Sequence, residues 1–334
     1  MLVPGLLFLV GLACLIKGGD WFVDGAAGIA RRFNMPQMLV GATVVSIGTT
    51  LPEVMVSASS AVMGHGEIAY GNAIGSIICN TALISAITIA VKPSDVDKKS
   101  MKTPVIFFSL ALLIYLFVSY FTGTFSRISG IALLLIFIIY MFVSVRQALS
   151  VKDNSLAKTQ SADSDEGSDK TDEATKETST VKFVVLLVIG AALIAVGARL
   201  LVDNGTIIAT QLGVPSTVIA LTFIALGTSL PELVTAITSL AKGSGSLSLG
   251  NIIGANLFNL VLVSGLSITL APFDVPCDKL IAGINSSLII DIPVMLLVSA
   301  IMIVPALIRG KMSRIQGILM LIIYAAFCTL QFVL

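Results

Sequence analysis

The chain has 334 residues, 56% of them hydrophobic and 12% charged, with a formal net charge of +1 and a mean hydropathy of +1.01. A soluble domain of this size could not hide so much apolar surface, so the composition points to a polytopic membrane protein. Near-neutral charge argues against a nucleic-acid partner. Four cysteines (Cys14, Cys79, Cys277, Cys328) with no C-x-x-C pairing suggest neither a disulfide framework nor a thiolate metal site.

Apolar segments long enough to cross a bilayer fall at roughly 2–31, 36–63, 67–91, 103–122, 126–148, 181–210, 215–241, 246–271, 280–308 and 314–333. The first lacks a basic leader and a small-residue cleavage site, and reads as a span rather than a removable signal. Between the fifth and sixth lies Lys152–Lys182, rich in Ser, Thr, Asp, Glu and Lys. With few apolar residues to pack, it is expected to be a solvated, mobile linker.

The two halves repeat at a fixed offset of 179 residues: Gly11 with Gly190, Asp24 with Asp203, Pro36 with Pro215, Gly48–Glu53 with Gly227–Glu232, GNAIG at Gly71 with GNIIG at Gly250, Pro93 with Pro272. After an insertion, SRISG at Ser126 corresponds to SRIQG at Ser313. An odd number of spans per half makes the second half enter the membrane upside down, the plan of many secondary transporters. The expected fold class is an all-α polytopic membrane protein, ten transmembrane helices as two inverted five-helix repeats. Its parts are a first repeat over 1–148, a cytoplasmic linker over 149–181 and a second repeat over 182–334. One side of such a bundle receives Arg31, Arg32, Lys92, Lys98, Lys99, Lys102, Arg146, Lys152, Lys242, Arg309 and Lys311, the other little beyond Arg127 and Lys279. The positive-inside rule then puts the linker in the cytoplasm and both termini outside a cell membrane.

GTTLPE at Gly48–Glu53 returns as GTSLPE at Gly227–Glu232, each inside an apolar segment. An ionisable residue at bilayer depth is a functional-site hypothesis by default. Thr49 and Glu53, four apart, share one helix face, and Thr228 and Glu232 repeat the pattern. Pro52 has no N–H, which leaves the Gly48 carbonyl without its helical partner, and Pro231 does the same for Gly227. The third span adds Asn72, Ser76 and Asn80 at a spacing of four, and the eighth adds Asn251, Ala255 and Asn259. These donors are oxygen-rich, without His or Cys, and suit hard cations such as Ca²⁺ and Na⁺.

Plainer readings hold for other features. Gly71/Gly75 and Gly250/Gly254 are close-packing pairs. His65 is an exposed loop residue, and Lys17, Asp20, Asp24, Arg199 and Asp203 line an aqueous face or pair with one another near the membrane edge. The duplicated glutamate has no packing role that explains it.

The pair GTTLPE and GTSLPE, followed by GNAIGSIICN and GNIIGANLFN, closely resembles the two signature repeats of the cation/calcium exchanger superfamily, in the sodium/calcium exchanger branch. The likeness covers nearly the whole chain. It implies an antiporter, not an enzyme, needing no cofactor, with four cation sites at mid-membrane. Glu53 and Glu232 would be shared between Ca²⁺ and Na⁺, and Thr49 and Thr228 would serve Ca²⁺. Thr50, Ser229, Ser76 and the carbonyls of Ser46 and Ala225 would complete Na⁺ sites, with Asn80 and Asn259 facing the central one. The chain departs from the pattern at Ile77, where Asn is usual, and at Asn259, where some relatives have Asp. It departs again at Ala255, the mirror of Ser76, where a backbone carbonyl or water would have to serve. The implied partners are Ca²⁺, Na⁺ and the lipid bilayer, with no obligatory protein partner.

Two glutamates match the charge of one Ca²⁺. Export against a ten-thousandfold gradient and about 100 mV costs roughly 10 kcal/mol. Two Na⁺ entering down a tenfold gradient return about 7.3 kcal/mol and three about 11. Three Na⁺ per Ca²⁺ is the expected coupling. The alternatives are an H⁺/Ca²⁺ exchanger of the same fold, since buried glutamates can carry protons, and a cation channel, against which the single shared site argues.

Overall fold

The structure is a computed structural model describing residues 2–93, 95–162, 173–212, 227–277, 280–281 and 283–333, with 149–162, 173–179, 206, 209, 332 and 333 as backbone only. Among the described residues, nine helices are long and apolar enough to cross a membrane. These are α1 (Leu2–Arg32), α2 (Gln37–Val62), α3 (Gly66–Val91), α4 (Lys98–Thr122), α5 (Arg127–Ala162), α6 (Glu173–Gln211), α8 (Gly245–Leu270), α9 (Ser287–Arg309) and α10 (Arg314–Val333). A shorter apolar helix, α7 (Leu230–Ala241), carries the second GT-x-LPE line at its start. The first part of the expected seventh span, residues 213–226, lies outside the described residues.

Two expectations need correction. The ninth span was expected from 280 but starts at Ser287, because Leu280–Ile281 and Ile284–Asn285 pair as a short antiparallel hairpin turning at Gly283. Asn285 ends that hairpin by accepting the Ser287 N–H at 2.9 Å. The polar stretch after the fifth span is helical backbone at both ends, to Ala162 in α5 and from Glu173 in α6. The expectation of a mobile linker otherwise falls on 163–172, outside the described residues.

Burial sorts the helices. The apolar windows of α8 and α3 are 83% and 72% buried, against 22% for α1 and for α6. The polar-striped helices α2, α3, α7 and α8 therefore form the centre, packed on one another, while the uniformly apolar ones face outward. Helices α1 and α6 lie side by side along a glycine seam. A Cβ on Gly11 would meet the Leu201 N at 2.9 Å, and one on Gly18 the Ile194 N at 2.9 Å; on the other helix, Gly190 and Gly197 approach α1 backbone as closely. Small residues on both sides bring the two backbones together, as van der Waals packing in a bilayer favours.

The ends of the two halves are tied to each other by matching contacts. The Val275 N–H donates to the Gly123 carbonyl (2.8 Å) and the Val96 N–H to the Gly310 carbonyl (2.9 Å). Both accepting glycines close their helices in the left-handed region, at φ +68° and +69°, a conformation that costs glycine nothing. Beside the first contact, Thr124–Phe125 pairs with Phe273–Asp274, and Phe125 packs on Tyr115, Tyr70 and Phe273. At the opposite end, where α3 finishes and α7 turns into α8, a cavity of about 320 Å³ opens between Thr88, Lys92, Leu240, Gly243, Ser246 and Ser248.

Candidate functional site

Glu53 and Glu232 are fully buried, and neither carboxylate has a hydrogen-bond partner. The two carboxyl groups lie near enough to influence one another, and Thr49 neighbours Glu232. Thr50, Asn80, Ser229 and Asn259 also present buried side-chain polar atoms without partners. Buried polar groups are normally paired, and an unpaired buried carboxylate costs several kcal/mol. A concentration of such atoms on the four central helices fits a positively charged ligand. Among the described residues no three His, Cys, Asp or Glu side chains converge. The donors are therefore mostly neutral oxygens around two charges, a set for hard cations.

The remaining expected site residues fall as follows. The Thr49 hydroxyl donates to Asn251 Oδ1 (3.2 Å), and the Thr228 hydroxyl to Asn72 Oδ1 (3.3 Å). Ser46 is buried, its hydroxyl turned to the carbonyls of Gly41 (2.8 Å) and Asn251 (2.9 Å). Ser76 and its mirror Ala255 are both buried. Ala225 lies outside the described residues.

The two GT-x-LPE lines sit in different backbone settings. Helix α2 runs through Pro52 without interruption, and Gly48 presses on the Phe22 ring of α1. Pro231 instead stands in the first turn of α7, where a missing N–H costs nothing. The Gly227 carbonyl, expected free, accepts the Leu230 N–H at 3.4 Å; a tight turn takes up what the helix does not. In α3 and α8, Asn80 and Asn259 each open a widened π-helical turn, Asn80–Ser85 and Asn259–Ser264, at the same 179-residue offset. Single π turns interrupt the regular ladder and concentrate at functional positions.

The glycine pairs behave unequally. A Cβ on Gly250 would run into the Met38 carbonyl, and one on Gly254 into Ala42 and the Ser46 hydroxyl. Both therefore hold α8 against α2, as expected. Gly71 and Gly75 meet nothing within 4 Å among the described residues, so the packing role expected for them is not seen there. Small residues permit close approach without requiring it.

The Ile77 departure has a physical counterpart. Its mirror Asn256 donates to the Thr81 hydroxyl at 2.7 Å, and the mirror of Thr81 is Leu260. Ile77 and Leu260 are both buried in the same apolar cluster. Each half supplies one polar and one apolar residue, so Asn256 meets Thr81 across the halves while Ile77 and Leu260 join the apolar cluster.

Sequence reasoning missed one contact. Lys242, at the end of α7, reaches Asp24 (2.8 Å), Asp20 (3.4 Å) and the Asp20 carbonyl (2.8 Å) on α1. Its mirror position is Met63. Asp203, the mirror of Asp24, pairs instead with Arg199 on its own helix at 3.6 Å, both exposed. Lys17 lies over Trp21, and His65 is exposed beside Glu67, as expected.

A sequence profile described as sodium/calcium exchanger protein matches residues 3–146 and 182–333. The chain is 35% identical to "Putative antiporter CaxA" of Alkalimonas amylolytica, over 100% of this chain and 99% of that one. It is 31% identical to "Sodium/calcium exchanger MaX1" of Methanosarcina acetivorans, over 98% of each. A solved structure of the sodium-calcium exchanger NCX_Mj, soaked with 10 mM Na⁺ and zero Ca²⁺, superposes with a TM-score of 0.78. The two are 32% identical over 98% of both chains.

Proposed function

The chain belongs to the sodium/calcium exchanger protein family, and from that membership we propose that it exports Ca²⁺ in exchange for Na⁺ across a cell membrane by alternating access. One observation supports this reading: the buried polar atoms without partners include both GT-x-LPE carboxylates together with side-chain atoms of Thr50, Ser229, Asn80 and Asn259. Ca²⁺, or Na⁺ in its place, would be held by Glu53 and Glu232 with oxygens of Thr49, Thr228, Thr50 and Ser229. Ser46, Ser76 and the backbone at Ala225 and Ala255 would contribute to Na⁺ sites, and Asn80 and Asn259 would face the centre. Two carboxylates balance one Ca²⁺, and the neutral oxygens that surround them can rearrange around several Na⁺. A half-filled cage leaves a carboxylate unneutralised in low dielectric, which opposes passage and makes exchange obligatory.

Three Na⁺ per Ca²⁺ is the coupling that the energy balance favours, so each cycle carries net charge. The two five-helix halves, 1–148 and 182–334, would be inverted repeats, with 149–181 as a cytoplasmic linker and both termini outside. The π turns recur at the 179-residue offset, and the loop contacts match with donors Val96 and Val275 at that offset and acceptors Gly123 and Gly310 at the offset that follows the insertion; both support that plan. Helices α1 and α6, joined along their glycine seam and lining with Phe22, Ala191 and Ile194 one small cavity that Pro52 and Pro231 also line, would move as one body between the two access states. On that orientation Lys242 and the open cavity lie at the cytoplasmic end.

The test is Ca²⁺ uptake into proteoliposomes under separately imposed Na⁺, K⁺ and H⁺ gradients, for wild type and Glu53→Gln. Uptake driven by Na⁺ and abolished in the variant is the expected result. Uptake driven by a pH gradient without Na⁺ would assign the H⁺/Ca²⁺ alternative, and Ca²⁺ flux needing no counter-ion would assign a channel.

A further inference from the structure

The two halves differ in charge at matched positions. On α1, Asp20 and Asp24 stand four apart, and at the 179-residue offset α6 carries Arg199 and Asp203. The residues that end α7 and α2 are Lys242 and Met63, again a matched pair. From this asymmetry we propose that Lys242, Asp20 and Asp24 form a one-sided ionic latch, which holds the α1–α6 pair on α7 and sets which end of the transporter rests closed. The latch rests on the reading above in which that pair moves.

The charges of each half fit their own setting. Like charges four apart on a helix repel one another, so α1 needs a cation from elsewhere. Lys242 supplies it, with Nζ at 2.8 Å from Asp24, 3.4 Å from Asp20 and 2.8 Å from the Asp20 carbonyl. An ammonium has three donors and no acceptor, and these three contacts all fall on α1. On α6 the cation is built in, because Arg199 pairs with Asp203 at 3.6 Å within the helix. The end of α2 then offers only an uncharged methionine.

Packing shows the same asymmetry. Beside the latch α1 lies tight on α7, where a Cβ on Gly19 would meet Val234 Cγ1 at 2.6 Å and Thr238 Oγ1 at 2.8 Å. The positions on α2 that match Val234, Thr238 and Lys242 are Met55, Ser59 and Met63. All three are exposed, Met55 at 69% and Met63 at 73%, so α6 does not cover α2 as α1 covers α7. The cavity at the Lys242 end is lined from α3, α7 and α8, on the side of α7 away from this contact. Alternation exchanges the two arrangements: α6 comes down on α2 while α1 leaves α7. The second state loses the Lys242 pairs and gains none in return, since Met63 has no charge and Asp203 already has its partner. A duplicated backbone plan thus yields two states of unequal energy. Side-chain exposures of 28% for Lys242, 41% for Asp20 and 54% for Asp24 keep the bias modest, about threefold to tenfold in the ratio of the states.

The test reads the two contacts directly in full-length protein in proteoliposomes. Spin labels go on exposed positions, as Ile16→Cys with Ile237→Cys across α1 and α7, and Val196→Cys with Val62→Cys across α6 and α2. The background has Cys14, Cys277 and Cys328 replaced by serine. Pulsed electron-resonance distances give the proportion of each state without reference to transport. The unlatched variant Lys242→Met should raise the ratio of long to short α1–α7 distances about threefold to tenfold, with an answering rise of short α6–α2 distances. Building the matching latch, by Met63→Lys with Arg199→Asp, should shift both distributions the same way with Lys242 intact. Ratios within about twofold of the parent in both variants overturn the latch. So does a longer α1–α7 distance with no answering change between α6 and α2, which is loosening rather than an exchange of states. Should Lys242→Met not fold, Asp20→Asn with Asp24→Asn removes the same pairs from the other side. A parent protein that exchanges ions yet keeps a single α1–α7 distance under every ion gradient defeats the moving pair itself. Two states in unchanged proportion defeat only the latch.

Discussion

Replacing Glu53 by Gln should move stability and function in opposite directions. In the ion-free protein Glu53 and Glu232 are both fully buried and unpartnered, so keeping either one ionised is costly for the empty fold. Gln has nearly the same shape and leaves neutral atoms in the same place. An unpaired amide costs about 1–3 kcal/mol and an unpaired charge more than that, which puts the gain for the ion-free variant on the order of 1 kcal/mol or more at a pH where the carboxylate is ionised. Ligand binding acts in the other direction: wild type gains about 2.7 kcal/mol when Ca²⁺ stands at a hundred times its dissociation constant. The variant, one carboxylate short, should gain little. The assay is the thermal midpoint of purified protein in chelator and in saturating Ca²⁺. We expect the variant to melt a few degrees above wild type in chelator and to lose that lead when Ca²⁺ is added. A Ca²⁺ shift as large in the variant as in wild type would refute the assignment of Glu53 as a ligand. A variant less stable than wild type in chelator would refute the claim that its carboxylate burdens the empty fold.

Three further outcomes follow from the packing and the charge balance. Gly250→Ala, whose Cβ would strike the Met38 carbonyl, should destabilise by about 1–3 kcal/mol; a thermal melt indistinguishable from wild type would count against that close packing. Lys242→Met, which copies the residue at the mirror position, should cost about 0–1 kcal/mol because the ion pairs are partly exposed. It should change the exchange rate while leaving equilibrium Ca²⁺ binding intact, and an altered Ca²⁺ affinity would argue against a role confined to tying α1 to α7. Exchange at three Na⁺ per Ca²⁺ should generate a current in planar-membrane recordings, and electrically silent exchange would count against that coupling.

The apolar segments, the buried glutamates and the polar stripes of α3 and α8 were legible because each is a local pattern with one physical reading. A carboxylate cannot sit in hydrocarbon without a reason, and residues four apart must share a helix face. What could not be read depends on distant partners. GxxxG reports that a neighbour could come close, and only the fold shows that Gly250 is pressed on Met38. Lys242 counted simply as a loop charge, since its partners Asp20 and Asp24 stand more than two hundred residues away. The hairpin at Leu280–Asn285 was hidden because its residues are as apolar as a span. Pro231 was read by analogy with Pro52, yet a proline that opens a helix leaves the neighbouring carbonyl in a turn that can satisfy it.

The exchange of Asn256 and Thr81 for Ile77 and Leu260 means that the two halves are no longer interchangeable. A protein assembled from two copies of the first half would set Thr81 against Ile77 twice. One built from two second halves would set Asn256 against Leu260 twice. Either way a buried polar group loses its partner at both places, at about 1–3 kcal/mol each. Whatever symmetry the ancestral arrangement had, each half of this chain now carries the complement of the other's choice. The pair of contacts works as a lock that admits only the heterologous assembly.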